Sequence, residues 1–89
     1  MTPTTTGTVT VRYYAAARAA AGIDDEPVAL AAGSTLADLL AALRERHGAE
    51  FATVLSRCSY LLDEVAVHDH GVVLPDGATL DILPPFAGG

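Results

Sequence analysis

The residues best suited to chemistry close the sequence: Pro84-Pro85-Phe86-Ala87-Gly88-Gly89, directly after the apolar stretch Leu80-Asp81-Ile82-Leu83. Proline fixes φ and removes a backbone donor, so Pro84 and Pro85 cannot continue a sheet ladder. A polyproline-type path of about 3.1 Å per residue would carry six residues roughly 18 Å from the last strand. Two prolines also reduce the entropy lost when such a segment docks. Phe86 reads as an anchor, since burying a side chain of its size gains about 1.5–3 kcal/mol. Ala87, Gly88 and Gly89 carry almost no side chain. They suit a channel too narrow for larger residues and would bring a terminal carboxylate of Gly89 to a buried active site.

Other reactive side chains are sparse. Cys58 is the sole cysteine, so no internal disulfide is possible, and beside Ser59-Tyr60 it reads as a small buried hydrophobe. His68 and His70 flank Asp69, but two ligands at this spacing fall short of the three or four that a zinc site needs, so no metal is expected. Ser56, Ser59 and the histidines lack the surroundings of a nucleophile elbow, which argues against a hydrolase. Arg18 reads as a contact for an acidic patch on a partner, or equally as a solvated surface charge.

The 89 residues make one small domain, with little volume for a deep pocket, which favours a carrier or binding module over an autonomous enzyme. A net charge of −6 opposes nucleic-acid backbones and anionic membranes. All five cations are arginines and there is no lysine. An activated acyl group at Gly89 would therefore meet no side-chain amine of its own chain, although compositional bias alone also yields this pattern. No basic start with an apolar core precedes the domain, and no apolar run is long enough to span a bilayer. A cytoplasmic location is expected.

The elements that must position the tail are legible in outline. Residues 1–7 read as a loose, flexible extension, 8–83 as the folded domain and 84–89 as the extended tail. Residues 8–14 alternate, with Val9, Val11 and Tyr13 on one face and Thr10, Arg12 and Tyr14 on the other, as in a half-buried strand. Residues 15–21 are alanine-rich and end at Gly22, as a short helical turn or a loop. Residues 27–30 form a second strand, placed at an edge by Pro27. Thr35 and Asp38 make a capping box before a helix whose Leu36, Leu39, Leu40 and Leu43 form one apolar stripe. Arg44, Arg46 and His47 suit its C-terminal dipole, and Gly48 ends it. Residues 50–57 can form a second short helix. A longer strand is expected over 60–67, with Val65 and Val67 facing inward, then a short strand over 72–74. Pro75-Asp76-Gly77 signals a turn before the last strand, 79–83. The pattern predicts a small α+β fold with one main helix packed on the sheet.

Taken together, Val11-Arg12-Tyr13-Tyr14-Ala15-Ala16-Ala17-Arg18 with Gly22, the helix after Ser34-Thr35, the Asp76-Gly77 turn and the final Pro84–Gly89 segment resemble the MoaD/ThiS family. These are ubiquitin-like β-grasp sulfur carriers, and the likeness spans about residues 8–89. The paired prolines and the aromatic-alanine stretch reaching Arg18 are more similar to small subunits of molybdopterin synthase than to thiamin sulfur carriers. One departure is His68-Asp69-His70 after Val67, where family members often carry an asparagine.

The resemblance implies a β-grasp fold with a mixed sheet, one main helix and an extended Gly-Gly tail. It implies a sulfur donor without catalytic residues of its own and with no permanently bound cofactor. An adenylating enzyme resembling ubiquitin-activating enzymes (MoeB-like) would use ATP and magnesium to activate Gly89, and sulfide drawn from a persulfide would convert it to a thiocarboxylate. A larger MoaE-like subunit of molybdopterin synthase would then accept Pro85, Phe86, Ala87, Gly88 and Gly89 into its active site, in a heterotetramer of two carriers on a dimeric large subunit. There sulfur would pass to cyclic pyranopterin monophosphate during molybdenum cofactor biosynthesis. The alternatives are sulfur carriage for thiamin or another metabolite, a ubiquitin-like protein modifier, and a plain interaction domain with an inert tail.

Overall fold

The computed structural model describes residues 6–85. Eight elements follow in order: β1 (Thr6–Tyr13), α1 (Ala15–Ala21), β2 (Asp25–Ala31), α2 (Leu36–His47), α3 (Ala49–Leu55), β3 (Ser59–Leu62), β4 (Val65–Val67) and β5 (Thr79–Leu83). The five strands make one mixed sheet in the order β2-β1-β5-β3-β4. β1 and β5 are parallel, with Tyr13 opposite Ile82, and every other pairing is antiparallel. β5 therefore lies in the middle of the sheet although it comes last in sequence. β2 is an edge strand, as Pro27 requires.

The alternation of β1 gives the sheet an inner face. Val9, Val11 and Tyr13 are buried while Thr8 and Thr10 are exposed. The strand begins at Thr6, two residues earlier than its alternation suggested, because Thr6 and Gly7 pair with Ala31 and Leu30. The core is completed by Val28, Leu80, Ile82, Phe51, Leu55 and the four leucines of α2, all at most 2 % exposed. Truncating one of those leucines to alanine costs about 2–5 kcal/mol in comparable cores. α2 starts with the expected capping box: the Thr35 hydroxyl accepts from the Asp38 N–H, and the Asp38 carboxylate accepts from the Thr35 N–H.

The helices fill in what composition left open. Residues 15–21 are an α-helix, closed by Gly22 in the left-handed conformation (φ 81°), whose N–H donates to Arg18 O at 2.9 Å. Gly48 has φ 92° and ψ −173°, a region practically restricted to glycine, so α2 stops there and α3 starts in a new direction.

Two strand expectations are corrected. Residues 60–67 are not one strand but the hairpin of β3 and β4, folded at Asp63 (φ 47°) and Glu64 (φ 70°). Two successive positive φ angles match the right-handed twist of a tight hairpin, and glycine normally marks such a turn. Its absence hid the turn. The fold-back leaves Val65 at 66 % exposure rather than facing inward. Residues 72–74 contribute only an isolated bridge from Val73 to Thr35 instead of a strand. Among the described residues, no helix is long and apolar enough to cross a membrane.

Candidate functional site

The candidate site is the end of the sheet where β5 runs into the proline pair. β5 is held on both sides as far as Ile82, by Tyr13 in β1 and Tyr60 in β3. Leu83 still faces Ser59, and the Tyr14 N–H reaches Ile82 O at 3.3 Å. Then Pro84 and Pro85 follow, and neither can donate to a ladder. The strand thus leaves from a fixed central position. Pro84 is half-buried and Pro85 is exposed. Of the expected tail residues Pro85 alone is described; Phe86, Ala87, Gly88 and Gly89 lie outside the described residues.

An ion pair stands on the outer face of the sheet at the base of this exit. Arg12 Nε donates to Asp81 Oδ1 at 2.6 Å, and Arg12 Nη2 donates to Asp81 Oδ2 at 2.9 Å. Asp81 is 5 % exposed and is the one buried charged residue among those described. The hydrogen bonds and charge of Asp81 hold the Arg12 guanidinium firmly protonated, above its ordinary range. The bidentate fork fixes β5 against β1 one residue below the Tyr13–Ile82 pair. A carboxylate inside the otherwise apolar run of 80–83 was the available signal for this pair. Its partner, however, is 69 residues away.

A second polar cluster joins the end of α2 to the sheet. Glu26 accepts from the Tyr13 hydroxyl and shares a hydrogen bond with His47 Nε2, both at 2.5 Å, and accepts from Arg46 Nη1 at 2.6 Å. His47, expected to serve the helix terminus, does so through this carboxylate and by packing on Phe51, with ring centroids 4.9 Å apart. Burial would raise the Glu26 pKa, but hydrogen bonds from Tyr13, Arg46 and His47 outweigh it and hold the carboxyl below its ordinary value. Burial, then the bond to Glu26, pushes the Tyr13 hydroxyl far upward.

The remaining candidates occupy ordinary structural places. Arg18 projects from α1 with its side chain 59 % exposed, and its Nε lies 3.8 Å from Asp24. Cys58 is half-buried and its thiol donates to Val54 O at 3.2 Å; burial raises its pKa, away from the nucleophilic thiolate. His70 packs edge-on to Tyr60, and the Asp69 carboxylate accepts from the Gly71 N–H. Among the described residues, no three His, Cys, Asp or Glu side chains converge as a metal site.

This fold and exit define a ubiquitin-like β-grasp protein that presents its last strand from the centre of the sheet. The ThiS family model matches residues 11–89, and the chain belongs to the ThiS family. It is 32% identical over 82 residues to the molybdopterin synthase sulfur carrier subunit of Chlamydomonas reinhardtii, covering 91% of this chain and 98% of that one. Among solved structures it is similar to a Pyrococcus furiosus protein assigned as molybdopterin converting factor subunit 1. There the TM-score is 0.81 and the identity 25%, with 90% of this chain and 99% of that chain covered. A complex of subunits 1 and 2 of the Helicobacter pylori molybdopterin-converting factor also contains a similar chain. That match has a TM-score of 0.66 and 26% identity, over 92% of this chain and 99% of the other.

Proposed function

We propose that this protein is the sulfur-carrier subunit of a molybdopterin synthase and that Gly89 is the residue that carries the sulfur. The observation that carries the reading is the exit of β5. A strand clamped in the middle of the sheet turns, without a linker, into Pro84-Pro85, and the sequence continues as Phe-Ala-Gly-Gly. Kinship with the Chlamydomonas carrier subunit supports the choice of pathway.

The chemistry follows from the carboxylate. With a pKa near 3.5 it is ionised at neutral pH and resists nucleophiles. A carboxylate oxygen of Gly89 attacks the α-phosphorus of ATP in an adenylating partner, and pyrophosphate leaves. Sulfide, released when a thiol reductant cleaves the S–S bond of a persulfide and is itself oxidised to a disulfide, attacks the acyl carbon of the adenylate, and AMP leaves. The resulting thiocarboxylate is a soft anionic nucleophile. In the large subunit its sulfur is passed to cyclic pyranopterin monophosphate, and Gly89 returns to a carboxylate, so two charged carriers serve each dithiolene. Tethering raises the local concentration of sulfur, while acids and bases come from the large subunit. Two carriers on a dimeric large subunit make the assembly a heterotetramer.

The test is reconstitution with a molybdopterin synthase large subunit and an adenylating enzyme. Protein charged in this way should convert cyclic pyranopterin monophosphate to molybdopterin, and a variant lacking Gly89 should not. Restoration of thiamin synthesis instead, or isopeptide adducts on lysines of other proteins, would replace this reading.

A further inference from the structure

β1 and β5 are parallel, so both start at one end of the sheet and finish at the end from which Pro84 departs. At the starting end, Asp76 accepts from the Thr8 N–H and Asp63, beside Glu64, accepts from the Thr79 N–H. Asp38 caps the start of α2, and Asp69 lies in the loop whose His70 carbonyl accepts from Ala37 at the same helix start. Arg12 reaches toward this end, lining a cleft with Asp63, Glu64 and Thr79. Arg12 is near the close of β1, Arg18 is on α1 just beyond it, and Arg44 and Arg46 are in the last turn of α2, which meets Tyr13. Arg57 is two residues before Ser59, which faces Leu83. The other arginines lie toward the tail end, together with Asp24, Asp25, Glu26, Glu45 and Glu50.

Beside the tail exit runs a shallow, mainly apolar groove. It is walled by Ala16 of α1, by Thr53, Val54 and Arg57 of α3 and the turn after it, and by Pro84 and Pro85. Arg12, Arg18 and Arg46 each face a carboxylate, whereas Arg44 and Arg57 are exposed and form no salt bridge among the described residues; of these two, Arg57 lines the groove. We propose that this groove seats an apolar side chain of the molybdopterin synthase large subunit, with a neighbouring carboxylate of that subunit paired to Arg57. The proposal rests on the sulfur-carrier reading. A partner that takes in the residues after Pro85 must close around Pro85, and Pro85 is itself part of the groove. The apolar walls suit an aliphatic or aromatic side chain, and the lone cation at the rim selects an acidic neighbour. The large subunit is the occupant favoured because the similar Helicobacter chain is found in complex with subunit 2.

The experiment compares the full chain with Arg57→Glu, Arg57→Lys and Ala16→Gln. It measures affinity for the isolated large subunit by calorimetry and adenylation by ATP–pyrophosphate exchange with the activating enzyme. The proposal expects Arg57→Glu to weaken large-subunit binding about tenfold or more and to slow association most at low salt. Arg57→Lys should restore most of the affinity, Ala16→Gln should weaken binding by crowding the groove, and adenylation should stay within about twofold. Unchanged affinity in Arg57→Glu and Ala16→Gln overturns the proposal, leaving the groove empty or occupied by the chain's own tail. A loss confined to adenylation, or equal in both assays, also overturns it and points to the activating enzyme. If the unaltered chain fails to bind the large subunit at all, the sulfur-carrier reading itself fails.

Discussion

Arg12 grips both carboxylate oxygens of Asp81 across the parallel ladder of β1 and β5, at 2.6 and 2.9 Å, three residues before the chain leaves the sheet at Pro84. Removing the guanidinium would strand a nearly buried carboxylate, which is costlier than removing both partners. Arg12→Ala should therefore lower Tm more than the double variant Arg12→Met with Asp81→Asn. Thermal denaturation of the single and double variants measures the coupling, and simple additivity would show that the fork contributes nothing specific.

Glu26 should govern stability in acid. Its folded pKa lies below the unfolded value, near 4.3 for a free glutamate, because Tyr13, Arg46 and His47 all bond to the charged form. The stability it contributes is complete above the unfolded pKa and disappears as pH falls through the folded one. Urea unfolding from neutral pH down to acid should show a decline that Glu26→Gln flattens. Tyr13 has the opposite sign: its raised pKa makes its contribution complete below the ordinary tyrosine value, near 10, and lost only in stronger alkali. Phenolate absorbance should show Tyr13 still protonated where a free tyrosine has ionised.

The Asp63–Glu64 turn holds two non-glycine residues at positive φ. Glu64 makes no hydrogen bond among those described, whereas Asp63 binds Thr79 through both its backbone N–H (2.8 Å) and its carboxylate (2.9 Å). Glu64→Gly should raise stability by about 0.5–1 kcal/mol, the left-handed penalty less the entropy that glycine adds to the unfolded chain. Asp63→Gly should not, because it forfeits the bond to β5. Denaturant midpoints for the two variants distinguish them.

What the sequence disclosed, and what it concealed, follows from range. β1, the capping box of α2, the edge position of β2 and the last strand before the prolines rest on periodicity or local chemistry within a few residues, whereas the central place of that strand comes from the sheet topology. The β3–β4 hairpin was missed because Asp63-Glu64 lacks the glycine that usually announces such a turn. The Arg12–Asp81 fork and the junction of Glu26 with Tyr13 and His47 were not legible, since each joins elements that only the sheet topology brings together. For the site the balance reverses. Phe86, Ala87, Gly88 and Gly89 are read from residue type, and the structure contributes the rigid base from which Pro84 and Pro85 emerge.

Cys58 should be dispensable for sulfur carriage. Its thiol donates to Val54 O and burial raises its pKa, so little thiolate is present at neutral pH. Cys58→Ala should reach the same yield of charged protein as the unaltered chain, and the native thiol should react with a disulfide reagent far more slowly than in urea. Loss of charging in Cys58→Ala, with the fold intact by circular dichroism, would implicate the thiol as a relay.

The central claim is that Gly89 carries sulfur. The most direct measurement is the intact mass of the protein, with sequencing of its C-terminal peptide, after incubation with ATP, magnesium, the adenylating enzyme and a sulfide source. The account predicts a gain equal to one oxygen replaced by sulfur, located on Gly89, which also separates it from oxidation of Met1 or Cys58. An unmodified Gly89 carboxylate under conditions that charge a known carrier would contradict it.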